Sequence, residues 1–347
     1  MKSDKQLVIL GTGGTIAGRA ANASDNLGYT AAQIGIAQLM AEIPGLDGLP
    51  LLTEQVAQVD SKDMGAQVWQ ALLGRVVAYL RRQDVQGVVI THGTDTLEET
   101  AFFLHAVLAS ADLLAKPVVL TCAMRPASSL SPDGPQNLLD AIAVARDAQA
   151  AGVMAVCAGV VHSAVAVQKV HSYRLDAFTS GDFGPLGFVE EGAVRWQCKS
   201  MSNSPLAHTG YAVPAIENIV RSARWPRVEI VLNHAGADGR MVDLLRQERL
   251  EQLSRCPGPE FDAVEGIVVA GTGNGTVHVD LLAALLKASE AGVRIMRSSR
   301  CPYGRVLLPA GGGDETVFEA ADGLSPAKTR ILLALALLAP PGLATGT

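Results

Sequence analysis

The sequence predicts an α/β protein in two parts: a larger N-terminal domain on a mostly parallel sheet with helices on both faces, and a smaller C-terminal α/β domain. Three observations predict it. Short, continuously apolar runs alternate with amphipathic stretches through the first two hundred residues, the pattern of strands covered on both faces. The 347 residues exceed what one hydrophobic core usually organises. A Ser-, Asn- and Pro-rich passage, "SMSNSPLAHTGYAVPAIENIVRSARWP" (200–226), then breaks the rhythm before it resumes.

The elements follow in order. Strands are predicted at "LVIL" (7–10), "VVIT" (88–91), "PVVLT" (117–121) and "VMAVCA" (153–158). In "DMGAQVWQALLGRVVAYL", Met64, Val68, Trp69, Leu72, Leu73, Val76, Val77 and Leu80 recur at helical spacings. The N-terminal domain is expected over 1–205, a linker over 206–226 and the second domain over 227–347. That domain carries further strand candidates, "VEIVLN" (228–233), "EGIVVAG" (265–271) and "GVRIMRS" (292–298), separated by helical patterns. "ILLALALLAPPGLA" is short and broken by Pro340 and Pro341, so it reads as a buried helix rather than a membrane span.

Bulk properties narrow the function. Apolar residues make up 48% and charged residues 18%, which describes a globular chain. A net charge of −6 offers no basic field for nucleic acid or anionic lipid, so small solutes are the expected partners. "MKSDKQLVIL" enters the first strand without a signal-peptide core, and a cytoplasmic setting is expected; a trimmed leader would leave the periplasm open. The five cysteines are scattered without CxxC spacing, which argues for buried thiols over a disulfide framework or a zinc site.

Chemistry is expected where parallel strands end. "GTGGTIAG" (11–18) follows the first strand with four glycines in eight positions. It fails both nucleotide motifs: Ile16 stands where G-x-G-x-x-G needs its last glycine, and Arg19 and Ala20 follow Gly18 where a phosphate loop needs Lys and Ser or Thr. The glycines instead leave room around Thr15, a hydroxyl that needs an adjacent base to act as nucleophile, and free backbone N–H groups for an oxyanion. A tight strand-to-helix turn is the plainer alternative. "THGTDTLEET" (91–100) ends another strand. One of Thr94, Asp95 or Thr96 suffices to cap the helix that follows, with Glu98 and Glu99 favouring its positive end. The turn supplies three such residues.

With both turns in view, the sequence resembles the bacterial-type L-asparaginases, in their periplasmic-type branch. "GTGGTIAG", "THGTDTLEET", "AMRP" followed by "SPDGPQNL", "FGPLG", "AGTGNG" and "RSSR" occur in the family's order along nearly the whole chain. The resemblance implies hydrolysis of a side-chain amide through a β-acyl-threonine, without metal or cofactor. It also implies a homotetramer of two close dimers in which the C-terminal domain completes a neighbour's active site. Thr15 matches the nucleophile and Tyr29 the tyrosine of a mobile flap. Thr94, Asp95 and Lys169 match a second constellation near the scissile amide. Ser61 matches the holder of the substrate α-carboxylate and Asp95 the acceptor of its α-ammonium; Lys62, Ala123 and Asn274 fall at further substrate-binding positions.

The chain departs from the family at three places. Lys62 replaces the usual Gln or Glu, and the Gly-rich "RVLLPAGGGDETVF" has Ala310–Gly312 where a glutamate reaches the neighbouring site, with Asp314 or Glu315 as substitutes if the loop shifts. Thr276 replaces Asn or Ser. The first two changes add positive charge or remove negative charge at the ammonium pocket, and like charges about 4 Å apart repel by roughly 4 kcal/mol at an effective dielectric of 20. They predict poor handling of L-asparagine, or a preference for an ω-amide whose amino group is absent or acylated, unless Lys62 extends into solvent. Cys122, in "TCAMRP", stands close to the expected site, where it is either reactive or inertly buried.

Rival readings are a nucleotide-dependent oxidoreductase, a non-catalytic amino-acid-binding protein and a tRNA-linked amidotransferase subunit. The failed fingerprint disfavours the first. The intact set Thr15, Tyr29, Thr94, Asp95 and Lys169 disfavours the second. About six residues precede the first strand, leaving no room for the extra N-terminal module of the third.

Overall fold

Parallel strands bury apolar side chains on both faces, so each long strand of the N-terminal part is continuously apolar rather than alternating. The computed structural model describes residues 5–46, 48–197, 212–255, 261–307 and 317–339. It divides into two units, Met1–Ser204 and Pro205–Thr347.

In the first unit, strand β1 (Gln6–Gly13) leads into a hairpin, β2 (Arg19–Ala20) and β3 (Tyr29–Thr30), then helix α1 (Ile36–Ala41) and strand β4 (Leu51–Val59). Helix α2 (Ala66–Leu80) precedes β5 (Val85–Thr91), α3 (Leu97–Ser110) precedes β6 (Pro117–Thr121), and α4 (Gly134–Arg146) precedes β7 (Gly152–Cys157). After these come β8 (Val160–Ser163), the small pair β9 (Gln168–Lys169) and β10 (Phe178–Thr179), and β11 (Gly187–Glu190) with β12 (Ala193–Trp196).

The main sheet has eight strands in the order β12-β11-β8-β7-β6-β5-β1-β4. From β4 to β7 the pairings are parallel; beyond β7 they are antiparallel. The sheet is therefore mixed, and the predicted parallel strands are its larger part. Leu7, Ile9, Val89, Val119 and Met154 share a core with Ile36 and Leu39 of α1 and Leu138, Ala141 and Ile142 of α4. The alternate residues Val8, Leu10, Val88, Ile90, Val118 and Leu120 are equally buried, as are Trp69 and Leu72 of α2 and Phe102 and Phe103 of α3. Both faces are covered, as the apolar runs require.

The strand order places the site. The chain crosses from β1 to β4 on one side and returns past β1 to β5 on the other, so the crossovers reverse between β1 and β5. In doubly wound sheets the crevice for a ligand opens at the carboxyl ends of such a pair.

In the second unit, residues 206–211 of the expected linker lie outside the described residues. Its remainder contains a short helix, α5 (Ile216–Arg221), anchored by buried Ile216 and Ile219. A sheet in the order β13-β14-β15-β16 follows: β13 (Arg227–Leu232), β14 (Val264–Gly271), β15 (Arg294–Ser299) and β16 (Glu319–Ala320). It is parallel throughout. Helices α6 (Arg240–Arg255) and α7 (Val279–Glu290) join the first three strands, and Leu281, Ala284, Leu285 and Ala288 of α7 pack with Val264, Ile267 and Val269. Helix α8 (Pro326–Leu338) buries Ile331, Leu332, Leu333 and Leu335, as its apolar run predicts. No helix among the described residues is long and apolar enough to cross a membrane.

Candidate active site

Gly11 of β1 pairs in register with Thr91 of β5, and the Thr12 hydroxyl donates to the Thr91 carbonyl at 2.9 Å. The turns after these strands therefore leave the sheet at one level. Gly14 has φ +82°, in the left-handed region that favours glycine. A Cβ there would overlap the Cα and N of Gly93 and stand 2.8 Å from the carbonyl carbon of His92. A Cβ on Gly93 would in turn strike the Ser61 side chain. The glycines do clear space, and the second turn fills it.

Beyond Gly14 the chain makes a short 3-10 helix, Thr15–Ala17. Thr15 is buried, with its Oγ1 2.7 Å from the Tyr29 hydroxyl. The β2–β3 hairpin returns Tyr29 to this point, pairing Ala20 with Tyr29 and Arg19 with Thr30. Gly18 makes the approach possible, since a Cβ on it would lie 2.8 Å from Cδ2 of the Tyr29 ring. The hairpin rests on the loop over 127–130: Ala20 N donates to Ser128 Oγ at 2.8 Å, Ala127 N to the Gly18 carbonyl at 3.0 Å, and Leu130 N to the Ala23 carbonyl at 3.0 Å.

On the other turn, Lys169 Nζ donates to Thr94 Oγ1 at 2.8 Å and to Asp95 Oδ1 at 2.6 Å. Thr94 is buried, and the Lys169 side chain is only 17% exposed, so this is no solvated surface lysine. Strand β9 presents the lysine by pairing with Phe178 of β10, and the Glu98 carboxylate accepts from the Lys169 backbone N–H at 2.6 Å. Capping does not account for the turn. Thr96 occupies the N-cap of α3 without a side-chain cap bond and donates instead to the Ser61 carbonyl at 2.8 Å. Ser61 Oγ accepts from Asp95 N at 3.2 Å. Two turns in direct backbone contact thus carry Thr15, Thr94 and Asp95, and Tyr29 of β3, Lys169 of β9 and Ser61 after β4 hydrogen-bond to them.

The remaining predicted residues fare differently. Lys62 is 61% exposed on its side chain, and its ammonium is paired with Asp63 and lies 3.8 Å from Asp60. Asp63 foremost, with Asp60 and Asp95, holds its pKa above the ordinary lysine value, and its exposed side chain extends into solvent. Ala123 is fully buried on a loop held from behind: Asp133 accepts from Met124 N and Arg125 N, and Asn137 donates to the Cys122 carbonyl, each at 2.9 Å. Asn274, in the second unit, uses both ends of its amide on the Leu307 backbone, at 2.7 and 2.8 Å. Thr276 donates to the Thr272 carbonyl at 2.9 Å. Ala310–Gly312, Asp314 and Glu315 lie outside the described residues.

Cys122 is buried with its sulfur 3.2 Å from that of Cys157; this contact and burial push its thiol well above the usual range. Glu98, Asp133 and Asn137 escaped sequence reasoning as site residues. Glu98 was visible only as a helix-end charge, and "SPDGPQNL" only as a motif, because backbone N–H and C=O partners leave no side-chain pattern to read.

The arrangement offers two buried hydroxyls, one against a phenol and one against an ammonium that would stabilise negative charge developing nearby. Among the described residues no cluster of His, Cys, Asp and Glu is placed to hold a metal ion. The family model described as "Asparaginase, N-terminal" matches residues 6–202, and "Glutaminase/Asparaginase C-terminal domain" matches 227–342. The chain is 35% identical to "L-asparaginase 2" of Escherichia coli (strain K12), covering 95% of this chain and 88% of that one. It is 37% identical to "Glutaminase-asparaginase" of Acinetobacter glutaminasificans, covering 95% and 94%. The crystal structure of a "Probable Cytoplasmic L-asparaginase" from Campylobacter jejuni superposes with a TM-score of 0.81 at 34% identity, covering 96% and 95%.

Proposed function

This chain belongs to the asparaginase family, and from that premise we infer that it is an amidohydrolase releasing ammonia from the side-chain amide of L-asparagine. L-Glutamine, named with asparagine in the Acinetobacter relative, is the second substrate of the same chemistry. The observation that carries the reading is the contact of the two turns, which brings a Thr15–Tyr29 pair and a Thr94–Lys169–Asp95 cluster to one switch point.

In the mechanism we assign, Thr15, hydrogen-bonded to Tyr29, attacks the amide carbonyl; its hydroxyl proton passes to the amide nitrogen as the C–N bond breaks, and ammonia leaves. Water then hydrolyses the acyl-threonine beside Thr94, whose hydroxyl Lys169 polarises. Ser61 and Asp95 receive the α-carboxylate and α-ammonium, and Ala123 bounds the pocket. We further propose that the chain is a homotetramer of close dimers, that its second domain, including Asn274, completes a neighbour's site, and that it works in the cytoplasm, the setting named for the Campylobacter protein. Pairing of Lys62 with Asp63 and its nearness to Asp60 weigh against a preference for an ω-amide without a free amino group, although its ammonium also acts on Asp95.

Steady-state ammonia release from L-asparagine, L-glutamine, N-acetyl-asparagine and succinamate tests the substrate. L-Asparagine is expected to give the highest kcat/KM. A clear lead for succinamate or N-acetyl-asparagine would restore the other substrate class.

A further inference from the structure

His92 sits between the end of β5 and the Thr94 turn, and no step assigned above uses it. Its side chain is fully buried. Nδ1 lies 2.7 Å from the Gly93 carbonyl, and Nε2 lies 2.9 Å from Thr100 Oγ1. A carbonyl only accepts, so Nδ1 carries the proton and Nε2 is the bare nitrogen that accepts from Thr100. Trp69 Nε1 donates to the same Thr100 oxygen at 2.9 Å, which directs the threonine's own hydrogen toward the imidazole. The result is a one-way chain, Trp69 to Thr100 to His92 to the Gly93 carbonyl, closed by His92 N donating to the Thr121 carbonyl of the next strand at 2.8 Å.

The Gly93 carbonyl belongs to the peptide unit that ends in the Thr94 nitrogen. Rotation of that unit would swing Thr94 Cα and with it the hydroxyl beside Lys169. Gly93 has no side chain to restrain the rotation, and a Cβ on it would meet both Ser61 and Gly14. The imidazole holds this carbonyl through Nδ1. Burial also drops the His92 pKa to about 4, so the ring remains the neutral Nδ1–H form over the neutral range.

We propose that His92 is a positioning residue for the amidohydrolase reaction: as the neutral Nδ1–H tautomer it fixes the Gly93–Thr94 peptide, and through it the Thr94 hydroxyl against Lys169. The proposal rests on the reading of Thr94 as part of the reacting constellation.

The two legs of the imidazole can be separated. His92→Gln places its amide near the Nε2 position and gives up the Gly93 bond, whereas His92→Asn places a donor near Nδ1. Thr100→Val cuts the Nε2 leg and leaves the Gly93 bond. The expected result is a loss in kcat of about tenfold to a hundredfold for His92→Gln, with KM within about threefold. His92→Asn should recover most of that loss. Thr100→Val should lower the thermal midpoint while keeping kcat within about twofold. A purely structural role would make kcat fall alike in His92→Gln and Thr100→Val, and that result overturns the proposal. Full activity in folded His92→Gln does so as well.

If His92→Gln does not fold, ring ¹⁵N shifts of the intact histidine-labelled enzyme decide. His92 protonated at Nδ1 at pH 7 supports the proposal, and protonation at Nε2 refutes it. Thr94→Val separates the two failures: an active Thr94→Val enzyme removes the reading of the site, whereas an inactive one beside an active His92→Gln enzyme removes this inference alone.

Discussion

Gly14 and Gly93, 79 positions apart in sequence, meet backbone to backbone, and neither can carry a side chain where it stands. Their contact lets two threonine turns from different strands share one end of the sheet. Gly14→Ala should therefore cost both stability and activity. A β-carbon at φ +82°, driven into the Gly93 backbone, is expected to destabilise the fold by about 2–4 kcal/mol. The surviving folded enzyme should be nearly inactive. Denaturant unfolding and ammonia release of the same preparation check both, and native activity in a stable Gly14→Ala protein would show that the turns need not touch.

Lys169 is the cation that two residues of the second turn share. Lys169→Met keeps the length of the stem and removes the charge, and kcat should fall by about 10²–10⁴-fold while the thermal midpoint moves little. Lys169→Arg is not expected to rescue, because a planar fork cannot place one donor between the Thr94 hydroxyl and the Asp95 carboxylate. Stopped assays for ammonia, with unfolding curves alongside, distinguish a catalytic loss from a folding loss.

Lys62 offers the opposite expectation. With its ammonium held by Asp63 and near Asp60 in solvent, Lys62→Gln should leave the thermal midpoint unchanged and alter KM for L-asparagine by less than about threefold. A KM that drops by more than about tenfold would show that the lysine repels the substrate ammonium.

Two of the three histidines buried among the described residues set an acid limit on stability. Burial lowers the pKa of His92 and of His105 to about 4 each, against 6.5 in an unfolded chain. Below 6.5 the unfolded state takes up protons that the folded state refuses, so stability is complete above that pH and falls as the pH drops toward 4. Each histidine contributes a slope of up to about 1.4 kcal/mol per pH unit across that window. Urea unfolding at pH 7.5, 6 and 5 measures it; His92→Gln should remove one histidine's share, and a flat profile would contradict the burial of both rings.

Thiol chemistry should follow exposure. Cys301 is exposed, whereas Cys122 and Cys157 are buried and Cys122 has its thiol pushed upward. In the native protein a maleimide should label Cys301 and spare Cys122 and Cys157, with ammonia release unaffected by modification of Cys301. Peptide mapping after short labelling reads the sites, and rapid loss of activity on modification of Cys122 would contradict the assignment.

Much of this was legible in the residues themselves. The apolar runs at 7–10, 88–91, 117–121 and 153–158 became β1, β5, β6 and β7 because strands buried on both faces have no polar face to hide them. Strand β4 was not read, although it completes the switch point. "LLTEQVAQV" is half polar, and its partly exposed position at the sheet edge tolerates that composition. The antiparallel strands β8, β11 and β12 were missed because each is only four residues long. At the site, hydroxyl and charged residues announced themselves by type, whereas Tyr29 and Lys169 were identified only through the resemblance to the family. The groups that hold those residues did not. Glu98 on a backbone N–H, Asn137 on a carbonyl and His92 on its neighbour's carbonyl act through main-chain atoms common to every residue. Lys62 shows the converse: a residue type conspicuous in sequence whose charge is balanced by the adjacent Asp63, a fact that spacing alone left open.

The proposed mechanism requires the Thr15 hydroxyl to form the covalent bond to substrate. Incubation with an electrophilic asparagine analogue, followed by proteolysis and mass mapping, tests it most directly. A single adduct is expected on the peptide carrying Thr15, absent from Thr15→Ala enzyme that retains its native unfolding curve. An adduct on Thr94, or turnover without modification of either threonine, would contradict it.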